Sequence, residues 1–396
     1  MDELSPTSTL ARSIRPSSSF RLDPPPKATD ATHWPFLDLV RFGAAILVLF
    51  GHARGLYFES ITNVPDAGIG TRLFYLLTGI HYEGVMLFFV VSGFLVGGSV
   101  WRNIEARRFD ARRYLTHRFS RIYLVLVPAL VLVFAVELLG KHFLADTRFY
   151  AMRPLFPSEV ADGWAWNQIP CHLAALQGAM CAPWGADPPL WSLGWEWVFY
   201  LIAPVLFGIW LLPLRPITRA IALACFGASL VSLFGLGQWL MWFAIWLAGA
   251  GAAQLATRRD LPLIVGLAGL VLCAVALVLS RTAIVPGFVA DLGVGTGLAI
   301  AISCRKLANA DILEAIAARG AAFSYSLYLI HLPIGIFIGG VLERLGWPTT
   351  LMAPGLEAYG AFALIVAISL IAAYLFAQLT EKHTARFRRF LSRAPG

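Results

Sequence analysis

Asp38, Arg41 and His52 stand inside a largely apolar run at residues 36–58, FLDLVRFGAAILVLFGHARGLYF. About 20 apolar residues suffice to cross a hydrocarbon core of about 30 Å, so the run reads as a membrane-spanning helix. An ionisable group near the centre of such a helix costs at least about 2.5 kcal/mol and normally faces protein or a water-filled cavity. Eleven residues separate Arg41 from His52, close to three turns at about 3.6 residues each. A guanidinium and an imidazole therefore share one face, about 16 Å apart along the axis, and line one side of a cavity at two depths. The bland reading makes Arg41 a snorkelling anchor and His52 an interfacial residue bonded to a backbone carbonyl.

Other polar residues in apolar runs carry the same two readings. Glu196, in PPLWSLGWEWVFYL with Trp191, Trp195 and Trp197 around it, either orients a histidine or accepts a proton, or is a buried acid bonded to a neighbouring helix. In FSYSLYLIHLP, Ser324, Tyr328 and His331 fall at i, i+4 and i+7, a polar stripe on one helix face that packing alone could also explain. Ser92 and Gly93 of SGFL read more readily as a close helix contact than as a nucleophile. Arg118 and Arg121 form an R-x-x-R pair that can converge on a phosphate, or simply help to fix topology. No G-x-S-x-G elbow, P-loop or H-E-x-x-H occurs, so no metal site is expected.

These residues need a bundle to position them. Of 396 residues 58% are hydrophobic and 14% charged, with a mean hydropathy of +0.70, well outside soluble norms of about 25% charged. The expected fold is an all-α, polytopic membrane bundle of ten spans, at about 36–58, 83–101, 122–140, 190–212, 219–236, 238–256, 261–280, 287–304, 321–340 and 357–379. Seven arginines between 102 and 121 fix that loop as cytoplasmic, and the later basic clusters fall on the same side when ten spans are counted. Both termini are then cytoplasmic. The net charge of +8 follows from this asymmetry, and no nucleic-acid role is implied. Residues 1–32, rich in Ser and Pro, read as a disordered tail, 33–380 as the membrane domain and 381–396 as a basic tail. Segment 307–319 reads as a cytoplasmic surface helix, and 141–189 as a long outer loop with a substrate-facing or lid role, the alternative being an ornamental loop. Its Cys171 and Cys181 either pair or stay free.

Five motifs in order, LDLVRFGAAILVLFGH, FFVVSGFL, RFSRI, WSLGWE and SYSLYLIH, together resemble the membrane acyltransferase 3 family. That resemblance implies an acyltransferase of the bacterial inner membrane. Such proteins move an acyl group, often acetyl, from cytoplasmic acyl-CoA (acetyl-CoA by default) to a hydroxyl of a carbohydrate, glycoconjugate or other acceptor on the far side. His52 would be general base or acyl carrier, with Arg41, Glu196 and His331 assisting. Arg118, Arg121 and Arg41 would hold CoA, and Asp38, Ser92, Trp191, Ser192, Ser324, Tyr325 and Tyr328 would line the pocket. Some relatives carry an appended esterase-like domain, and none is expected here. His81, Tyr82 and Glu83 lie outside the family pattern and either tune acceptor choice or sit at the interface. A secondary transporter or lipid-linked sugar flippase is the rival reading, weakened by the lack of an internal repeat. A silent partner subunit of polysaccharide-assembly machinery is another.

Overall fold

The computed structural model describes residues 34–393 except 153–154, 156–165, 186 and 283, so the tail expected at 1–32 lies outside the described residues. Among these the structure is helical, apart from isolated bridges joining Phe58 to Met352 and Gln177 to Cys181. The main helices are α1 (Pro35–Tyr57), α2 (Ile69–Gly79), α3 (His81–Glu105), α4 (Ala111–Phe143), α5 (Leu190–Leu211), α6 (Pro216–Phe234) and α7 (Trp239–Arg258). After them come α8 (Leu263–Leu279), α9 (Gly287–Ser303), α10 (Glu314–Ala321), α11 (Ser324–Arg344), α12 (Leu356–Leu379) and α13 (Thr384–Arg393). Among the described residues eight helices are long and apolar enough to cross a membrane: α1, α3, α4, α5, α6, α7, α11, and α12 taken with α13. The apolar helices α8 and α9, at the seventh and eighth expected spans, are shorter than 18 residues. They press backbone to backbone: a Cβ on Gly269 would lie 2.5 Å from the Ala301 nitrogen, and one on Gly297 2.5 Å from that of Cys273.

Three boundaries differ from the sequence reading. Helix α4 begins at Ala111, eleven residues before the expected 122, because the Asp110 side chain caps it by accepting from the Arg113 N–H at 3.0 Å. Its 33 residues rise about 50 Å, more than the hydrocarbon core, so Arg112, Arg113, Arg118 and Arg121 ride on a helix rather than a loop. The segment expected to form one surface helix at 307–319 breaks at Leu313, which is left-handed with φ 54°. Beyond the break, α10 buries Ala317, Gly320 and Ala321, with Gly320 set against the Phe42 ring of α1. At the chain's end, the Glu381 carboxylate accepts from the Ser326 N–H (3.2 Å) and hydroxyl (3.0 Å) of α11. The following α13 packs against α4.

Cys171 and Cys181 form a disulfide, while Cys225, Cys273 and Cys304 are free thiols. The disulfide closes a short loop that sits on the start of α5. Gly178, at φ 80°, passes so close to α5 that a Cβ there would lie 2.5 Å from the Trp191 Cα and collide.

Candidate functional site

Helices α1, α3 and α11 bring three histidines together. His331 is 2% exposed, and its Nδ1 lies 3.0 Å from the Leu327 carbonyl and 2.9 Å from that of Tyr328. Carbonyls only accept, so Nδ1 carries the proton and the neutral ring presents a lone pair at Nε2. That Nε2 is 3.0 Å from His52 Nδ1. His52 Nδ1 therefore donates, and the basic nitrogen of His52 is Nε2. The ring of His81 lies 5.3 Å from that of His52. It occupies the space a side chain on Gly51 would need, which is why the residue before His52 has none. Among the described residues no three His, Cys, Asp or Glu side chains are grouped so as to hold a metal ion.

One turn before His331, Tyr328 lines a narrow cavity of about 80 Å³. Its walls carry Arg41, Arg121, Ser192, Glu196, Tyr200, Ser324, Tyr325 and Tyr328. The Tyr328 hydroxyl is 2.6 Å from Ser192 Oγ and donates to the Pro189 carbonyl at 2.8 Å, while its ring meets Phe88 edge to face at 5.6 Å. Arg41 thus lines the cavity as expected, with Asp38 3.4 Å from its guanidinium. His52 and His331 are not among the residues that line this cavity, although the His331 ring lies 6.1 Å from that of Tyr328.

The remaining motif residues divide. Glu196 accepts from the Tyr200 hydroxyl at 2.5 Å, its partner being a phenol one turn on rather than a histidine. That phenol is 3.1 Å from Ser92 Oγ, to which Trp246 Nε1 donates at 3.1 Å. Ser92 is thereby a buried hydrogen-bonding node, and α3 takes up a π-turn at Gly93–Gly97 immediately after it. Trp191 is a stacking residue, 4.4 Å from Trp242 and 6.0 Å from Tyr82. Arg118 and Arg121 face different spaces: Arg121 the narrow cavity, Arg118 a pocket of about 290 Å³ shared with Arg108 and Arg113. The Arg118 guanidinium sits 5.7 Å from the Tyr200 ring.

Sequence reasoning left several groups unassigned. Tyr200 and Trp246 complete the Glu196 and Ser92 network, and the i to i+4 spacing of Glu196 and Tyr200 was the available signal. Glu83, buried at the head of α3, pairs with Arg281 at 2.6 Å, and Arg281 also donates to the Gly79 carbonyl at 2.7 Å. His172 and Gln177 in the disulfide-closed loop, and Asp187 between it and α5, are buried with side-chain N and O atoms that have no partner among the described residues. Burial lowers the His172 pKa to about 4 and pushes the Asp187 carboxyl well above the usual range.

The profile of a family described as an acyltransferase domain matches residues 34–376. The chain is similar to nodulation protein 10 of Rhizobium leguminosarum bv. viciae, 32% identical over 214 residues, 52% of this chain and 50% of that protein. It is also similar to an uncharacterized protein of Haemophilus influenzae, 31% identical over 30% of this chain and 46% of that protein. A third relative, acyltransferase MdmB of Streptomyces mycarofaciens, is 25% identical over 91% of this chain and 95% of its own length. The chain thus spans about half the length of the first two relatives and nearly all of the third. No solved structure matches it.

Proposed function

This chain belongs to that acyltransferase family, whose members move acyl groups other than amino-acyl groups, and on that premise we propose the direction of transfer and the residues that carry it. An acyl group, acetyl by default, passes from cytoplasmic acyl-CoA to a hydroxyl of an extracytoplasmic carbohydrate or glycoconjugate. The enzyme is a multi-pass protein of the bacterial inner membrane, with ten spans and both termini cytoplasmic. The single observation that supports this most is the His52–His331 hydrogen bond, 3.0 Å long. It fixes the His52 tautomer, so Nε2 is a base that can take the acceptor's proton as its oxygen attacks the thioester carbonyl. The CoA thiolate leaves and recovers that proton. The same nitrogen serves if the acyl group first rests on His52.

Arg41 and Arg121, on the walls of the narrow cavity, hold the phosphates or the oxyanion of the intermediate. Arg118, with Arg108 and Arg113 in the adjoining pocket, meets the nucleotide end of CoA. His52 is not among the residues lining that cavity, so reaction then requires a rearrangement that joins the two, with Tyr328, on the cavity wall and bonded to Ser192, as the side chain that moves. Purified protein given acetyl-CoA and a carbohydrate acceptor is expected to release free thiol, and His52→Ala to release none above background. Thiol release by His52→Ala at the wild-type rate would sink the assignment. Burst release without acceptor would mark the acyl-histidine route.

A further inference from the structure

A larger cavity lies away from the histidines. This apolar groove of about 830 Å³ runs between α3, α5, α7 and α9, with Trp101, Trp210, Gly251, Leu255 and Ile300 among its walls. Its rim is open to the bilayer, where Trp210 is 54% and Leu255 43% exposed. At one end Arg258 and Arg259 line both the groove and a second cavity of about 440 Å³, which also holds Arg305, Lys306 and Asp260. Arg258 is paired with Glu105, so Arg259, Arg305 and Lys306 face the single charge of Asp260. Two polar atoms in the groove wall, Trp101 Nε1 and Gln254 Oε1, are buried without a partner. Apolar length, one free indole donor and a cationic basin follow one another along a single surface. Basic pockets between membrane helices on the positive side of a bundle suit anionic headgroups.

We propose that groove and basin form one site for an anionic diacyl phospholipid. Its chains lie along the groove, an ester carbonyl accepts from Trp101 Nε1, and its phosphate meets Arg259, Arg305 and Lys306. The apolar groove singles out a lipid over a free anion, and the basin singles out an anionic headgroup over a zwitterionic one. Occupancy also braces α7, which carries Trp246 to Ser92.

Gly251 supplies the test, because no atom lies within 4 Å of a Cβ built there. Gly251→Phe therefore places a ring in the groove from a position with open space around its Cβ. Native mass spectrometry of the full chain, stripped of lipid and titrated with phosphatidylglycerol or phosphatidylethanolamine, reads the binding. The wild type is expected to retain phosphatidylglycerol at least about tenfold more tightly, a gap of about 1.4 kcal/mol. Arg259→Gln with Lys306→Gln should erase that preference, and Gly251→Phe should lower retention of both lipids while the helical content stays constant. Equal retention of the two lipids by the wild type overturns the proposal. So does retention that Gly251→Phe leaves unchanged, which would mark annular lipid, or competition by inorganic phosphate alone, which would mark an ion site.

Discussion

Helices α1 and α6 are both apolar enough and long enough to span a bilayer, yet they occupy opposite environments. Eleven of the 23 residues of α1 are buried, including Ala44, Ala45, Val48 and Leu49, whereas α6 buries no residue at all. Hydropathy cannot separate them. Asp38, Arg41 and His52 do: each would be costly against lipid, so the helix carrying them must turn them toward protein. Helix α6 has no such residue along 217–234 except Arg219 near its start, and it packs on α5 with the rest facing outward. An inserted polar side chain is therefore better evidence of an interior position than any amount of apolar length.

The largest expected effect tests the polar face itself. His52→Ala should lower acyl transfer by about 10²- to 10⁴-fold, the range for losing a general base. His331→Phe should lower it less, because it frees the His52 tautomer without removing its nitrogen; steady-state thiol release measures both. A drop in His331→Phe as large as in His52→Ala would make the pair one catalytic unit rather than a base and its positioning residue. Next in size is a charge placed on the lipid face. Ala224→Arg, in the middle of α6 and exposed, should cost about 2.5 to 3.5 kcal/mol of insertion, read as membrane-integrated fraction. Integration equal to wild type would place α6 against protein or water and break the contrast with α1.

Much of this was legible. The apolar runs gave the position of every long helix because a span leaves a composition signal about 20 residues long, and charged intruders picked out α1, α5 and α11. Pairing across the bundle was not legible. His52 and His331 stand 279 residues apart, and Gly51 reads as an ordinary small residue until the His81 ring is seen against it. Glu196 reads as a partner for a histidine, a proton acceptor or a buried acid bonded to a neighbouring helix, and the hydroxyl that it accepts from belongs to Tyr200, four residues on in its own helix. The start of α4 was missed because arginines read as loop, and only the cap at Asp110 shows the helix beginning there.

The segment between α4 and α5 is a third case, in which polar groups are buried without partners among the described residues. His172 stacks on Trp184 with ring centroids 5.5 Å apart, and burial holds its pKa at about 4 against 6.5 when unfolded. Above pH 6.5 the ring is neutral in both states, so the folded form carries no penalty. As pH falls from 6.5 toward 4 the unfolded chain takes up a proton that the folded one resists, and stability declines. Melting temperature in detergent should therefore drop across that window, and His172→Phe, which keeps the stack, should flatten the drop. An unchanged slope would assign the acid sensitivity to another group.

The smallest expected effects come from a pair of glycines, one on each helix of the opening contrast. A methyl at Gly51 collides with the His81 ring, whereas at Gly227 no atom lies within 4 Å. Gly51→Ala must displace His81, and with it the ring 5.3 Å from His52. It should cost about 1 to 3 kcal/mol, as overpacking does, and lower turnover as well. Gly227→Ala meets nothing and gains helix propensity, so it should be neutral or stabilise by up to about 1 kcal/mol. Thermal melting separates the two, and turnover adds a control, because Gly43, also on α1, has nothing within 4 Å either. If Gly43→Ala lowered turnover as much as Gly51→Ala, the loss would belong to α1 as a whole and not to the seat of His81.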